Sequence, residues 1–148
     1  MIAIGSDHGG YELKRGVIDY LKSKGIEYKD FGCYNKNSCD YPDIAFEVCK
    51  SVVKGECEKA LLFCGTGIGI SIAANKVNGI RAACCSDIFS AKFTRLHNDA
   101  NALCLGGRVV GLGLAIELVE VFLKTEFEGG RHIKRIEKIT EIENVESF

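Results

Sequence analysis

The sequence predicts a doubly wound α/β domain, in which a parallel sheet carries helices on both faces. Three observations point there. Short apolar runs alternate with longer amphipathic ones, giving five strand-then-helix units. Glycine-rich turns follow the first, third and fifth apolar runs, where strands of such a sheet end in the ligand-binding crevice. Three amphipathic runs close on glycine, at Gly25, Gly55 and Gly79, where a left-handed cap would end a helix.

Taken in order, the strands are IAIG (2–5), IEYKDF (26–31), KALLFC (59–64), IRAACC (80–85) and ALCLGG (102–107). The first helix is marked by Leu13, Val17, Tyr20 and Leu21 at helical spacing, with Lys14, Arg15, Lys22 and Lys24 on the other side. Gly25 and Gly55 each follow a lysine, which suits the negative end of a helix. The only break is Glu128-Gly129-Gly130, and a charged terminal helix follows it. Residues 1–148 are therefore expected to form a single domain, with the tail 126–148 as its helical appendage.

The 148 residues suffice for one well-packed core, and 47% hydrophobic with 26% charged residues is ordinary for a soluble globular protein. A formal net charge of −1 argues against a nucleic-acid binder or an anionic-membrane binder. The longest charge-free run, Ala60 to Asn75, is broken by three glycines and is too short to span a bilayer. The start, MIAIGSDHGG, lacks the basic and apolar regions of a signal peptide. The eight cysteines, among them Cys49, Cys84, Cys85 and Cys104 in apolar runs, read as small buried hydrophobes in a reducing cytoplasm. No Cys-x-x-Cys pair occurs and no histidine stands at zinc-ligand spacing from a cysteine, so no metal is expected.

The stretch FCGTGIGIS (63–71) is the most informative. Its glycines fall at Gly65, Gly67 and Gly69, which is neither the dinucleotide fingerprint nor a Walker loop. A thiol phosphatase would want an arginine about six residues after Cys64, and position 70 is Ile. What survives is a nest of backbone N–H groups at a helix N-terminus, suited to an anion or a developing oxyanion. A free thiol has a pKa near ~8.5, and lowering it by about one to two would make roughly a quarter to three quarters thiolate. No Asp or Glu occurs between Glu58 and Asp87, so Cys64 is the candidate base of this loop. It can equally be read as a buried strand-end cysteine.

Asp7 and His8, in GSDHGG, precede a helix. Asp7 can be an N-cap, or a carboxylate that binds sugar hydroxyls. His97 and Asn98 end the fourth helix, where a histidine can be a dipole contact or a proton shuttle reaching a shared site. In RHIKRIEK (131–138), Arg131, Lys134, Arg135 and Lys138 share an arc of roughly 100°, with Ile133 and Ile136 opposite. This is either a solvated basic face or, through Arg131 and Arg135 one turn apart, a clamp for a phosphate dianion. Arg108, in GGRVVG, is a third possible member.

Together SDHGG, DYPD, FCGTGIG, RLHND and the late R-x-x-x-R resemble the RpiB/LacAB family of sugar-phosphate isomerases, through essentially the whole chain. The resemblance implies a three-layer, Rossmann-like sandwich around a five-stranded parallel sheet of order 2-1-3-5-4, with a C-terminal helix. It implies an aldose–ketose isomerase of the pentose phosphate pathway that interconverts ribose 5-phosphate and ribulose 5-phosphate through an enediolate, with no cofactor. Cys64 is then the base, and Thr66 with the amides of Gly65, Gly67, Ile68 and Gly69 forms the enediolate hole. Asp7 and His97 match ring-opening residues, Asn98 and Tyr41 substrate contacts, and His8, Arg108, Arg131 and Arg135 the phosphate set. Some members use a glutamate a few residues on in place of the cysteine; the lack of any carboxylate here places this chain in the cysteine branch. The partner implied is a second copy, as a homodimer that can pair into a tetramer, and the tail helix would serve the neighbouring subunit. Six-carbon sugar phosphates (allose or galactose 6-phosphate) remain open as substrates. A non-catalytic nucleotide- or flavin-binding module on a similar sheet is the rival of another class.

Overall fold

The computed structural model describes residues 1–146. Its elements run β1 (Ile2–Ser6), α1 (Tyr11–Ser23), β2 (Tyr28–Asp30), α2 (Tyr41–Val53), β3 (Lys59–Cys64) and α3 (Ile68–Ala74), followed by β4 (Ala82–Cys84), α4 (Ile88–Asn98), β5 (Ala102–Gly106), α5 (Leu112–Lys124) and α6 (His132–Glu143). The five strands are parallel in the order β2-β1-β3-β5-β4, as the resemblance implies. The sandwich is thus three-layered.

Alternation along the buried strands sorts the side chains into two cores. Ile4, Phe63, Leu103 and Leu105 meet α1, α4 and α5 through Val17, Leu21, Ala91, Leu118 and Phe122. Ala3, Ala60, Leu62 and Cys104 meet α2 and α3 through Val48, Cys49, Ile70 and Ala74. Register then lines up the strand ends: Ser6 pairs with Phe63, and Cys64 with Gly106. Among the described residues the tail is helical from His132 to Glu143, packed against α4 at the edge beyond β4.

Local signals explain the boundaries. Gly25 and Gly55 take positive φ one residue past the caps of α1 and α2. Gly79 also has positive φ, yet α3 has already ended at Asn75. The Asn75 amide holds Ala82 through both its oxygen and its nitrogen, tying the early end of α3 to the start of β4. Asp87 starts α4 by accepting from the Ser90 amide at 2.7 Å.

Lys14 departs from the pattern. Its periodicity puts it on the polar side of α1, yet it is only 1% exposed. The ammonium donates to both Asp30 oxygens at 2.8 and 3.0 Å and to the Cys33 carbonyl at 2.6 Å. A buried cation persists because it is fully paired, and its stem covers apolar surface. The eight cysteines are unpaired, and five are buried as expected; Cys84 is the exposed one, and Cys33 and Cys39 are half-buried.

Candidate active site

The three glycine-rich turns close on one another at the carboxyl ends of β1, β3 and β5. The Asp7 amide donates to the Phe63 carbonyl, Gly107 to the Cys64 carbonyl at 2.8 Å and Arg108 to the Gly65 carbonyl at 2.9 Å. Approach is close enough to demand glycine: a Cβ on Gly10 would lie 2.4 Å from the Phe63 backbone, and one on Gly106 2.6 Å from that of Thr66. The crevice is thus fixed by main-chain bonds.

Cys64 ends β3, 4% exposed, and its Sγ accepts from the Gly67 amide at 3.1 Å. Gly67 can point its N–H back at the thiol because it takes φ +80°, a left-handed conformation that favours glycine. The Ile68 amide donates to Thr66 Oγ1 at 3.2 Å, so the amides of Gly67 and Ile68 already have local acceptors. The nest therefore serves the thiol first.

Asp7 is buried, and its Oδ1 accepts from the Gly10 amide, holding the turn before α1 rather than capping the helix itself. His8 Nδ1 accepts from the Cys39 amide at 3.3 Å, which ties it to the loop between β2 and α2. The Tyr41 ring, at the start of α2, lies against Gly69, where a Cβ would sit 2.9 Å from it. The Arg108 guanidinium lies over Gly65. Asp7, His8, Tyr41, Cys64, Thr66 and Arg108 thus surround the same turns.

His97, Asn98 and Arg135 are gathered elsewhere, in a cavity of about 500 Å³ between α4 and α6 that Phe89, Phe93, His132 and Ile136 also line. Cys84 joins the two regions. It lines this cavity, and its Sγ lies 3.8 Å from the Thr66 carbonyl. Arg131 stands exposed at the N-cap of α6.

The α6 face differs from the predicted stripe. His132, Arg135, Ile136 and Ile139 line the cavity, a spacing of three and four, whereas Ile133 is 48% exposed. Arg135, though exposed, therefore borders the cavity, and the half-buried Ile136 joins it there instead of opposing it. Burial of His132 is what rotates the helix.

Sequence reasoning missed His132 and Glu128. The rings of His97 and His132 stack with centroids 4.2 Å apart, and Phe93 meets His97 edge-on. Glu128 Oε2 lies 3.7 Å from His97 Nε2 and 3.5 Å from His132 Nε2. The signal was the spacing Glu128-x-x-x-His132, hidden by the two glycines between them. Burial, then the neighbouring His97 and Arg131, holds the His132 pKa below the ordinary histidine value, with Glu128 opposing.

Five of the other thiols are raised and so are poor bases. Burial pushes Cys49 to about 12 and Cys85 to about 11, and Cys104 well above its usual value. Cys39 rises to about 11 through burial and its contact with Cys33. Cys84 is raised by burial and by Cys64.

The whole chain has close relatives. It is 49% identical over 142 residues to ribose-5-phosphate isomerase B of Escherichia coli (strain K12), covering 96% of this chain and 95% of that one. It is 43% identical over 147 residues to D-erythrulose-4-phosphate isomerase of Pectobacterium atrosepticum, covering 98% and 96%. Among solved structures, Clostridium thermocellum ribose-5-phosphate isomerase B superposes with a TM-score of 0.95 at 57% identity, covering 97% of each chain. A family profile described as Ribose/Galactose Isomerase matches residues 2–139. With the sheet order, the glycine crevice and these matches in agreement, the chain belongs to the ribose/galactose isomerase family, RpiB/LacAB.

Proposed function

We propose that this chain is a ribose-5-phosphate isomerase of type B, interconverting D-ribose 5-phosphate and D-ribulose 5-phosphate. The observation that carries the reading is Cys64, a strand-end thiol whose sulfur accepts the Gly67 amide inside a crevice of three glycine turns. The E. coli and C. thermocellum relatives bear the name of that activity.

The chemistry follows from the arrangement. Asp7 and His97 open the furanose by exchanging protons with the ring oxygen and the anomeric hydroxyl. The Cys64 thiolate takes the C2 proton as the carbonyl at C1 becomes an oxyanion. Thr66 and the amides of Gly65 and Gly69 stabilise that charge. The O2 hydroxyl proton passes to O1 within the enediolate, and the same thiol returns the carbon-bound proton to C1, leaving a hydroxyl at C1 and a carbonyl at C2. His8, Arg108, Arg131 and Arg135 hold the remote phosphate, and Tyr41 and Asn98 line the sugar. Phosphate binding positions the reacting carbons over the sulfur. No metal is required.

Because His97 and Arg135 lie beyond Cys84 from the thiol, we read the complete site as assembled between two copies in a homodimer that can pair into a tetramer. Ile68, Ile72, Phe89 and Val109, each more than half exposed, give such a dimer an apolar face to cover. Eight free thiols suit a cytoplasmic setting. Residues 1–148 are read as one domain.

The test is proton NMR of the purified protein with EDTA and, in turn, ribose, allose and galactose phosphates and D-erythrulose 4-phosphate. Ribose 5-phosphate is expected to give the highest kcat/KM. The erythrulose phosphate is included because the P. atrosepticum relative carries that name. Preference for any other sugar would reassign the substrate, and no turnover of all four would overturn the reading.

A further inference from the structure

We infer that His97, Glu128 and His132 form a binding site for a first-row divalent transition ion, and that the ion inhibits the isomerase by occupying His97. One ring nitrogen from each of His97 and His132 and a Glu128 carboxylate oxygen all lie within 4.8 Å of one another. Around a tetrahedral ion with bonds of about 2.0–2.2 Å, ligand atoms sit roughly 3.3 Å apart. The 3.5 and 3.7 Å separations to Glu128 are already close to that. Two imidazoles and one carboxylate are the donor set that Zn²⁺ and Co²⁺ accept while keeping a further position for water.

The site is built from three directions. His97 comes from the last turn of α4, and His132 from the first turn of α6. Glu128 lies on the connecting segment, whose amide donates to the Leu96 carbonyl at 3.1 Å and so pins it beside α4. Gly129 and Gly130, both with positive φ, fold the chain tightly enough for Glu128 and His132 to face each other. The two rings stack at an interplanar angle of 17°, so both lone pairs converge on an ion only after the rings rotate. Imidazole χ2 is a broad torsion that permits this.

The inhibitory consequence rests on the proposed role of His97: an ion on Nε2 takes the lone pair that would shuttle the ring-opening proton. Site and consequence separate experimentally. Co²⁺ added to the EDTA-treated, dialysed protein should bind one equivalent per chain and shift or broaden the imidazole resonances of His97 and His132. Those of His8, the third histidine, serve as the internal reference. Removing an outer-shell partner costs metal sites about 10–100-fold in affinity, so Glu128→Gln or His132→Gln should lose at least as much. A Cys33→Ser/Cys39→Ser variant, which removes the adjacent thiol pair, should bind as the wild type does. Perturbation of His8 instead, or binding that survives Glu128→Gln and vanishes with the cysteine variant, overturns the site. Co²⁺ and Zn²⁺ should inhibit turnover, and EDTA should restore it. Binding on the two histidines without inhibition would uphold the site and count against His97 as the proton shuttle.

Discussion

Around Cys64 the chain is held by main-chain hydrogen bonds between three glycine turns, whereas around His97 it is held by side chains on two helices. In the first region Cys64 and Asp7 are buried, and positions follow from strand register: Cys64 faces Gly106 because β3 and β5 pair there. The second lies at the edge of the sheet, where a half-buried His97 stacks on a buried His132 and an exposed Glu128 spans the two. A base needs fixed placement within a fraction of an ångström, which a backbone frame provides. A phosphate clamp and a proton shuttle can be carried by long or ring side chains of helices packed at the sheet edge.

Substitutions that break the comparison can be ranked. The largest effect is expected at the thiol. Cys64→Ala should lower kcat about 10²–10⁴-fold, the range for a lost general base, with thermal stability little changed. Next is Arg135→Ala, which should raise KM for the phosphorylated sugar about 10- to 100-fold, since charge-assisted hydrogen bonds contribute roughly 1.5–3 kcal/mol. An unchanged KM would return Arg135 to a structural role on the α6 face.

Gly10→Ala tests the backbone frame. Its Cβ would meet the Phe63 backbone at 2.4 Å, so the turns must part, at a cost of about 1–3 kcal/mol and most of the activity. Gly113→Ala, in helix α5 with nothing within 4 Å, should instead stabilise by about 0.5–1 kcal/mol in a melting experiment. Equal effects would mean that the turns tolerate separation.

The smallest effect is on α6. The His132 pKa is lowered in the fold, so the neutral ring's contribution is present above the unfolded histidine value of about 6.5 and is lost as pH falls through the lower folded value. Hydrogen exchange of residues 132–143 should speed up below that range, and His132→Gln should remove the pH dependence.

Much of the crevice was legible because glycine, strand end and lone thiol are local signals: KALLFC matches β3 residue for residue, and all three turns meet. Lys14 was not legible, because its partners Asp30 and Cys33 come from the strand-and-loop that follows, and periodicity alone assigns a lysine to solvent. The α6 face was misread for a related reason. Helical arcs were sorted by charge, yet the buried residue is a histidine, which no apolar count includes. Burial of a polar group is decided by its partner, and partners distant in sequence leave no period.

The measurement that tests the central claim most directly is transfer of the C2 proton, followed by NMR of ribose 5-phosphate in D₂O for the wild type and Cys64→Ala. The account predicts ribulose 5-phosphate carrying deuterium at C1 with the wild type, and conversion and exchange both slowed about 10²–10⁴-fold with the variant. Wild-type rates of conversion and exchange in Cys64→Ala would contradict it.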